Sequence, residues 1–236
     1  MNAGIIKVAC VAFKRNNEGY AFWKSQGFTV RDDLVYQDKA LTEIVRIDNL
    51  KGKHFYMNYK EILKKRIKAH RKILFSKEDE IIVSLNEVIN DTPRKAVILW
   101  ALGLAEETVI LLERKYPLEK RPRMALMSTK MWASGEIKMP VAKKAILECH
   151  TFTKEISSTV DIARVHAIGQ ACSTVHTNGH AIGFPIYDLS ALIFENDLDN
   201  YDEVITSRIQ YYTEKLLYWK EHYKTHSSQW ASFIVD

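Results

Sequence analysis

The sequence predicts a mainly α protein, a bundle of about six helices preceded by two connecting helices and a small α+β appendage. Three observations carry this. From about residue 59 onward, apolar residues recur at three- and four-residue intervals. Ser, Thr and Pro stand where those stretches begin, as helix starts require. The first forty-five residues alternate like strands instead. The expected division is 1–58 for the appendage, 59–91 for the connecting helices and 92–236 for the all-α domain. A length of 236 residues accommodates this, since domains run to roughly 100–200 residues.

In the appendage, "IIKVACVAF" (5–13) is β-branched and aromatic like a buried strand, "NNEGYAFWKSQ" reads as a short helix, and "GFTVRDDLVYQDKAL" returns to strand-like alternation. The order is strand, helix, strand, strand. A piece of this size does not bury its own core, because chains below ~40 residues usually need disulfides, metals or partners. Its unpaired edges invite association, so it is expected to pack on the next helix or to pair with another copy in a homodimer.

The next segment, "YKEILKKRIKAHRK" (59–72), holds much of the formal charge of +5. Such a run can bind phosphates. Leu63, Ile67 and Leu74, however, mark an apolar stripe that puts the basic residues on the outward face of a helix over 59–74. No nucleic-acid motif accompanies it, so a solvated face is the expectation and nucleic acid is not.

"SKEDEIIVSLNEVIN" (76–90) begins with Ser76 and Asp79 in capping-box spacing and repeats Ile82, Leu85 and Ile89 on one face. The next helix starts with Thr92 as cap and Pro93 at the first helical position, carries Val97, Trp100, Leu104 and Leu111, and stops at Tyr116-Pro117. Further helices are expected at 121–134, 139–156, 158–175 and 200–223, with Ser158 and Asp161 as a second capping pair. In 158–175, Ala163, Ala167 and Ala171 recur every fourth residue, which lets that helix approach a neighbour at the bundle centre. Between the last two, "TNGHAIGFPIYDLSALIFEN" is apolar, with a break or kink expected near Pro185.

Composition excludes some classes. With 47% hydrophobic and 27% charged residues the chain is of ordinary globular composition. Apolar runs such as "AVILWALGLA" fall short of the ~20 residues a membrane span needs, so no membrane partner is expected. Cys10, Cys149 and Cys172 form no CxxC pair, and with no signal peptide the expectation is reduced thiols and a cytoplasmic protein.

Asn16-x-x-Gly19-x-x-Phe22-Trp23-x-x-x-Gly27-Phe28 resembles the N-x-x-A-x-x-F-Y-x-x-x-G-F signature that closes the GNAT (Gcn5-related N-acetyltransferase) fold, over residues 4–45. The resemblance implies that Asn16 contacts acetyl-CoA and that Trp23 stands where a tyrosine often serves as general acid. An indole N–H does not titrate as a phenol does. The family's Gly-rich pyrophosphate turn at a helix N-terminus has no counterpart before residue 4 or later. The appendage therefore reads as a non-catalytic remnant with no cofactor and no catalytic residue. The alternative is an acetyl-CoA-dependent N-acetyltransferase completed by another chain.

Farther on, "WALGLAEETVILLE", "YPLEKRPRMALMSTKMWASGEI" and "ARVHAIGQACSTVHTNGHAIGFPIY" are similar in order to the W-A-L-x-x-A-E, Y-P-x-x-x-R-P-R-x-A-L, W-x-x-G-E, A-R-x-x-G-Q-A and H-A-x-x-x-x-x-Y blocks of an immunity-protein family of bacterial polymorphic-toxin systems. The resemblance implies a compact helical fold and a protein partner, a toxin, that is neutralised by binding. Gly103 departs from the family's tendency to an acidic residue there, and Pro185 interrupts a helix that is usually continuous.

The polar residues of these blocks, Glu106, Arg121, Arg123, Arg164, Gln170, His176 and His180, are candidates for a polar pocket. A carboxylate near a core is normally paired, and Arg164 is the expected partner of Glu106. Such a pair either fixes helix register or lines a ligand pocket. His176 and His180 share a helix face near Cys172 and His166, but "HTNGH" lacks the acid of HExxH and a fourth ligand, so no metal is expected. Cys172 and His176 have no orienting third group for nucleophilic chemistry. Trp132, Tyr187, Tyr211, Tyr212 and Trp219 read as core aromatics, and Trp230 as docking back on the bundle. The acidic stretch "ENDLDNYDE" (195–203) reads as a solvated loop or a steering patch for a basic partner.

Overall fold

A computed structural model describes residues 24–25, 59–196, 201–227 and 229–235. The chain divides into two compact units, 1–49 and 50–236. In the first, Lys24 and Ser25 are helical and exposed. Asn16, Trp23, the strands expected around them and the homodimer expected through them lie outside the described residues.

The described part of the second unit is eight α-helices with two 3-10 turns and no strand. They are α1 (Tyr59–Lys68), α2 (Glu80–Asn90), α3 (Arg94–Lys115), α4 (Arg121–Ala133), α5 (Met139–Thr151), α6 (Thr159–Ser173), α7 (Gly183–Glu195) and α8 (Tyr201–His222). The 3-10 turns are Phe152–Lys154 and Asn178–His180. The last six helices make up the expected bundle.

Helix α6 sits at the centre, packed against α3, α4, α5 and α7. Its alanine row, Ala163, Ala167 and Ala171, is buried, and small side chains there let neighbouring backbones approach. The largest side chains of the core are Trp100, Tyr212 and Phe184. Tyr212 meets Trp100 edge-on at 6.4 Å and Phe184 edge-on at 6.3 Å, the geometry that the ring quadrupole favours. The Trp100 indole N–H donates to the Tyr212 carbonyl at 2.9 Å. The Tyr212 hydroxyl donates to Asp188 at 2.5 Å, and Arg208 Nε donates to the same carboxylate at 2.8 Å. A nearly buried carboxylate on α7 is thereby neutralised from α8, as burial of charge requires.

Several local expectations are corrected. The first helix ends at Lys68 instead of 74, and His70 turns the chain with φ 52°. Leu63 and Leu74 are both buried, but Leu74 arrives on an extended segment whose N–H bonds the Ser190 hydroxyl at 2.9 Å. Arg66 is not on a solvated face. It forks onto Asp79 with two 2.7 Å bonds, the bidentate geometry that guanidinium and carboxylate share.

Asp79 accepts from the Ser76 N–H at 2.7 Å, yet α2 begins only at Glu80, so the capping pair closes the turn before the helix. Thr92 does not cap α3: its hydroxyl donates to the Val88 carbonyl at 2.7 Å, sealing the end of α2, and Pro93 holds the N-cap. Ser158 does cap α6, accepting from the Asp161 N–H at 3.3 Å. The break expected near Pro185 lies upstream, at the turn Asn178–His180. Pro185 sits in the first turn of α7, where its missing donor costs nothing.

No helix among the described residues is long and apolar enough to cross a membrane.

Candidate functional site

The end of α4 and the middle of α3 form two walls of a cleft of about 640 Å³, and Trp219, His226, Gln229 and Trp230 form the third. On α3, Leu99, Leu102, Gly103, Glu106 and Glu107 line it. Their three- and four-residue spacing puts them on one stripe of the helix. Gly103 gives this stripe a position with no side chain. No described atom beyond its own helix turn and chain neighbours lies within 4 Å of the point where a Cβ would stand.

The α4 wall depends on how that helix stops. Gly135 takes φ 85°, its N–H reaches the Trp132 carbonyl at 3.0 Å and the Glu136 N–H reaches the Met131 carbonyl at 2.9 Å. This is the left-handed glycine stop with its two crossed bonds, a conformation that a Cβ strains. It brings Lys130, Met131, Ser134 and Glu136 to the cleft. Glu136 accepts from the Ser134 hydroxyl at 2.6 Å. The third wall carries Trp219 on α8, edge-on to His226 at 5.2 Å, and Trp230. The tail is tied to α4 by the Ala231 N–H, which donates to the Ala133 carbonyl at 2.8 Å, and by Phe233 stacked on Trp132 at 5.5 Å.

Beside the cleft, and partly in its lining, α3 and α4 are cross-linked by a charge ladder. Arg123 bonds Glu113 at 2.7 Å and also Glu106, and Lys130 bonds Glu106 at 2.6 Å. Burial acts to raise the Glu106 carboxyl, and the Lys130 and Arg123 bonds outweigh it, so its pKa lies below the ordinary value. Glu107 is held by Lys215 at 2.7 Å and the Tyr211 hydroxyl at 2.6 Å. The partner expected for Glu106 is thus corrected: Arg164 binds Glu195 at 2.5 Å and approaches Asp161 at 3.6 Å. Glu195 is consequently engaged rather than part of a free acidic patch, and residues 197–200 of that patch lie outside the described residues.

The remaining candidates lie in other groups of bonds. Arg121 joins Glu119 at 2.5 Å, Glu155 at 2.6 Å and Thr151 at 2.9 Å, pinning the α3–α4 turn to the end of α5. Gln170 and His180 bond each other at 3.0 Å. His176 stacks on Trp132 at 6.5 Å. Of the seven candidates, hydrogen bonds join Glu106 with Arg123 and Gln170 with His180, and only Glu106 lines the cleft.

Sequence reasoning missed Glu107, Lys130 and Glu136. It also missed His150, whose Nδ1 lies 3.1 Å from that of His166. A readable signal existed for Lys130: Glu106 and Glu113 are seven apart on α3, as are Arg123 and Lys130 on α4, and that match predicts a ladder between antiparallel neighbours. No group of three or more metal-ligating side chains occurs among the described residues. Cys149 and Cys172 are buried free thiols, and burial pushes Cys172 up to about 12.

No curated protein and no solved structure matches the chain. A family model does match, over residues 87–215, from the last turn of α2 into α8, and so includes the α3 and α4 walls of the cleft. The match covers more than half of the chain, which belongs to the family described as Imm-5 like putative immunity protein.

Proposed function

We propose that this chain is an immunity protein that neutralises a bacterial toxin by binding it, with the cleft between α3, α4, Trp219 and Trp230 as a contact surface. The observation that carries the reading is membership of the immunity family over residues 87–215. The cleft supports its location. It is concave, is lined by apolar, indole and charged side chains, and two of its walls belong to the matched residues, and concave, largely apolar clefts with a few polar groups are common binding sites. The front unit acts as a non-catalytic remnant on this reading, so acetyl-CoA gives no calorimetric heat with the full chain.

The test is co-expression with the toxin domains encoded alongside the chain in its genome. The expected result is that one of them stops growth alone, spares cells that also make this chain, and elutes with it as a complex. Failure of every such domain to be neutralised or bound overturns the reading.

A further inference from the structure

Gly103 has no explanation inside the fold. It lies in the middle of α3, a 22-residue helix, without the positive φ that Gly135 shows. No neighbour needs its missing side chain, because the space above it is open among the described residues. A glycine in a helix interior is less favourable than alanine. What the absent side chain does provide is open space in the α3 wall of the cleft.

The walls select what fills that space. Trp219 and Trp230 present indole rings, and Leu102 and Met131 give apolar sides. Three carboxylates and one ammonium line the cleft, in a chain whose overall charge is +5. Glu106 and Glu107 are already matched by Arg123, Lys130 and Lys215. Glu136 is not: among the described residues its carboxylate holds only the Ser134 hydroxyl. An occupant with a flat cation on an apolar stem satisfies both features, since guanidinium groups stack on indoles and fork onto carboxylates.

We propose that the cleft receives an arginine side chain of the partner protein, with its stem over Gly103, its guanidinium against the Trp219 and Trp230 indoles, and its charge met by Glu136. This rests on the reading of the chain as a partner-binding immunity protein, but it is tested without the partner. The probe is N-acetyl-arginine amide, titrated into the full chain at constant ionic strength and followed by amide and indole N–H resonances. Its neutral isostere, N-acetyl-citrulline amide, is the comparison.

The expected result is saturable shifts at Gly103, Trp219 and Trp230 with arginine, and binding weaker by about fivefold with citrulline, the scale of an exposed charge pair. Glu136→Gln should lower the arginine affinity to the citrulline level. Gly103→Leu should abolish the shifts while the rest of the spectrum stays native. If that variant unfolds, Gly103→Ala takes its place and should weaken binding. Equal binding of citrulline, unchanged affinity in Glu136→Gln, shifts elsewhere on the protein, or no saturable shifts at all overturns the proposal. The two readings fail separately: protection from a toxin without arginine binding moves the interface elsewhere, whereas arginine binding without protection leaves the cleft and removes the immunity role.

Discussion

The indole of Trp100 on α3 reaches the backbone carbonyl of Tyr212 on α8 at 2.9 Å, joining positions 112 residues apart in the chain. Trp100 is nearly fully buried and also contacts the Tyr212 ring edge-on. One side chain therefore fixes both the separation and the register of two long helices. Both helices contribute to the lining of the cleft.

Trp100→Phe removes the donor and part of the volume. It is expected to cost about 2 kcal/mol, combining one hydrogen bond with a small cavity. Urea unfolding checks this, and an unchanged midpoint would show that the bond contributes nothing net.

Asp188 is expected to be costly to change alone and cheaper to change with its partner. Asp188→Ala leaves Arg208 Nε and the buried Tyr212 hydroxyl only their own 3.3 Å bond in place of the carboxylate and should lose about 3 kcal/mol. With Arg208→Met added, the loss should be smaller than the sum of the single losses by about 1–2 kcal/mol. A double-mutant cycle by chemical unfolding measures that coupling, and strict additivity would refute it.

Two glycines should answer oppositely to alanine. At Gly169 a Cβ would lie 2.3 Å from the His150 ring, so Gly169→Ala must displace that ring and should destabilise by about 1–2 kcal/mol despite better helix propensity. At Gly103 nothing intervenes, and Gly103→Ala should stabilise by about 1 kcal/mol. Thermal melts of the two variants should move in opposite directions.

The His150 and His166 pair predicts acid sensitivity. Burial lowers both imidazoles from 6.5, and for His166 the neighbouring His150 and Lys72 add to the effect. With folded values below unfolded ones, the unfolded chain takes up protons first, so stability falls as pH drops below 6.5 and goes on falling until the folded values are passed. Asp161 and Glu106 contribute farther down. Their folded values are depressed, so their contribution is present above the ordinary 3.8 and 4.5 and is lost as pH falls through the folded values. Melting temperature against pH should therefore show a first decline beginning near 6.5, and His150→Asn should flatten it.

The bundle was legible because helix periodicity and start signals are local: Ser158 and Asp161, or the buried row Ala163, Ala167 and Ala171, behave as their spacing says. The site was less legible. Glu106 was recognisable, but α4 and α6 both pack on α3, and which of them meets Glu106 is decided only in three dimensions: Arg123 and Lys130 reach it, while Arg164 turns to Glu195. Thr92 and Asp79 carry the right side chains for capping and use them on the neighbouring turns, because Pro93 and the Arg66 fork claim the local geometry. Trp230 docks back as expected, but what makes it matter, the cleft it closes, arises only in three dimensions.

The contrast between Gly135 and Gly103 also bears on how such a protein diverges. Residue 135 is held by its backbone angle, so any lineage that changes it must rebuild the end of α4. At residue 103 no described atom stands in the way of a side chain. A descendant can place a side chain there, gain stability, and alter the lining of the cleft in a single step. If the cleft is the contact surface proposed above, position 103 is where partner choice can drift while the eight helices of the described residues stay as they are.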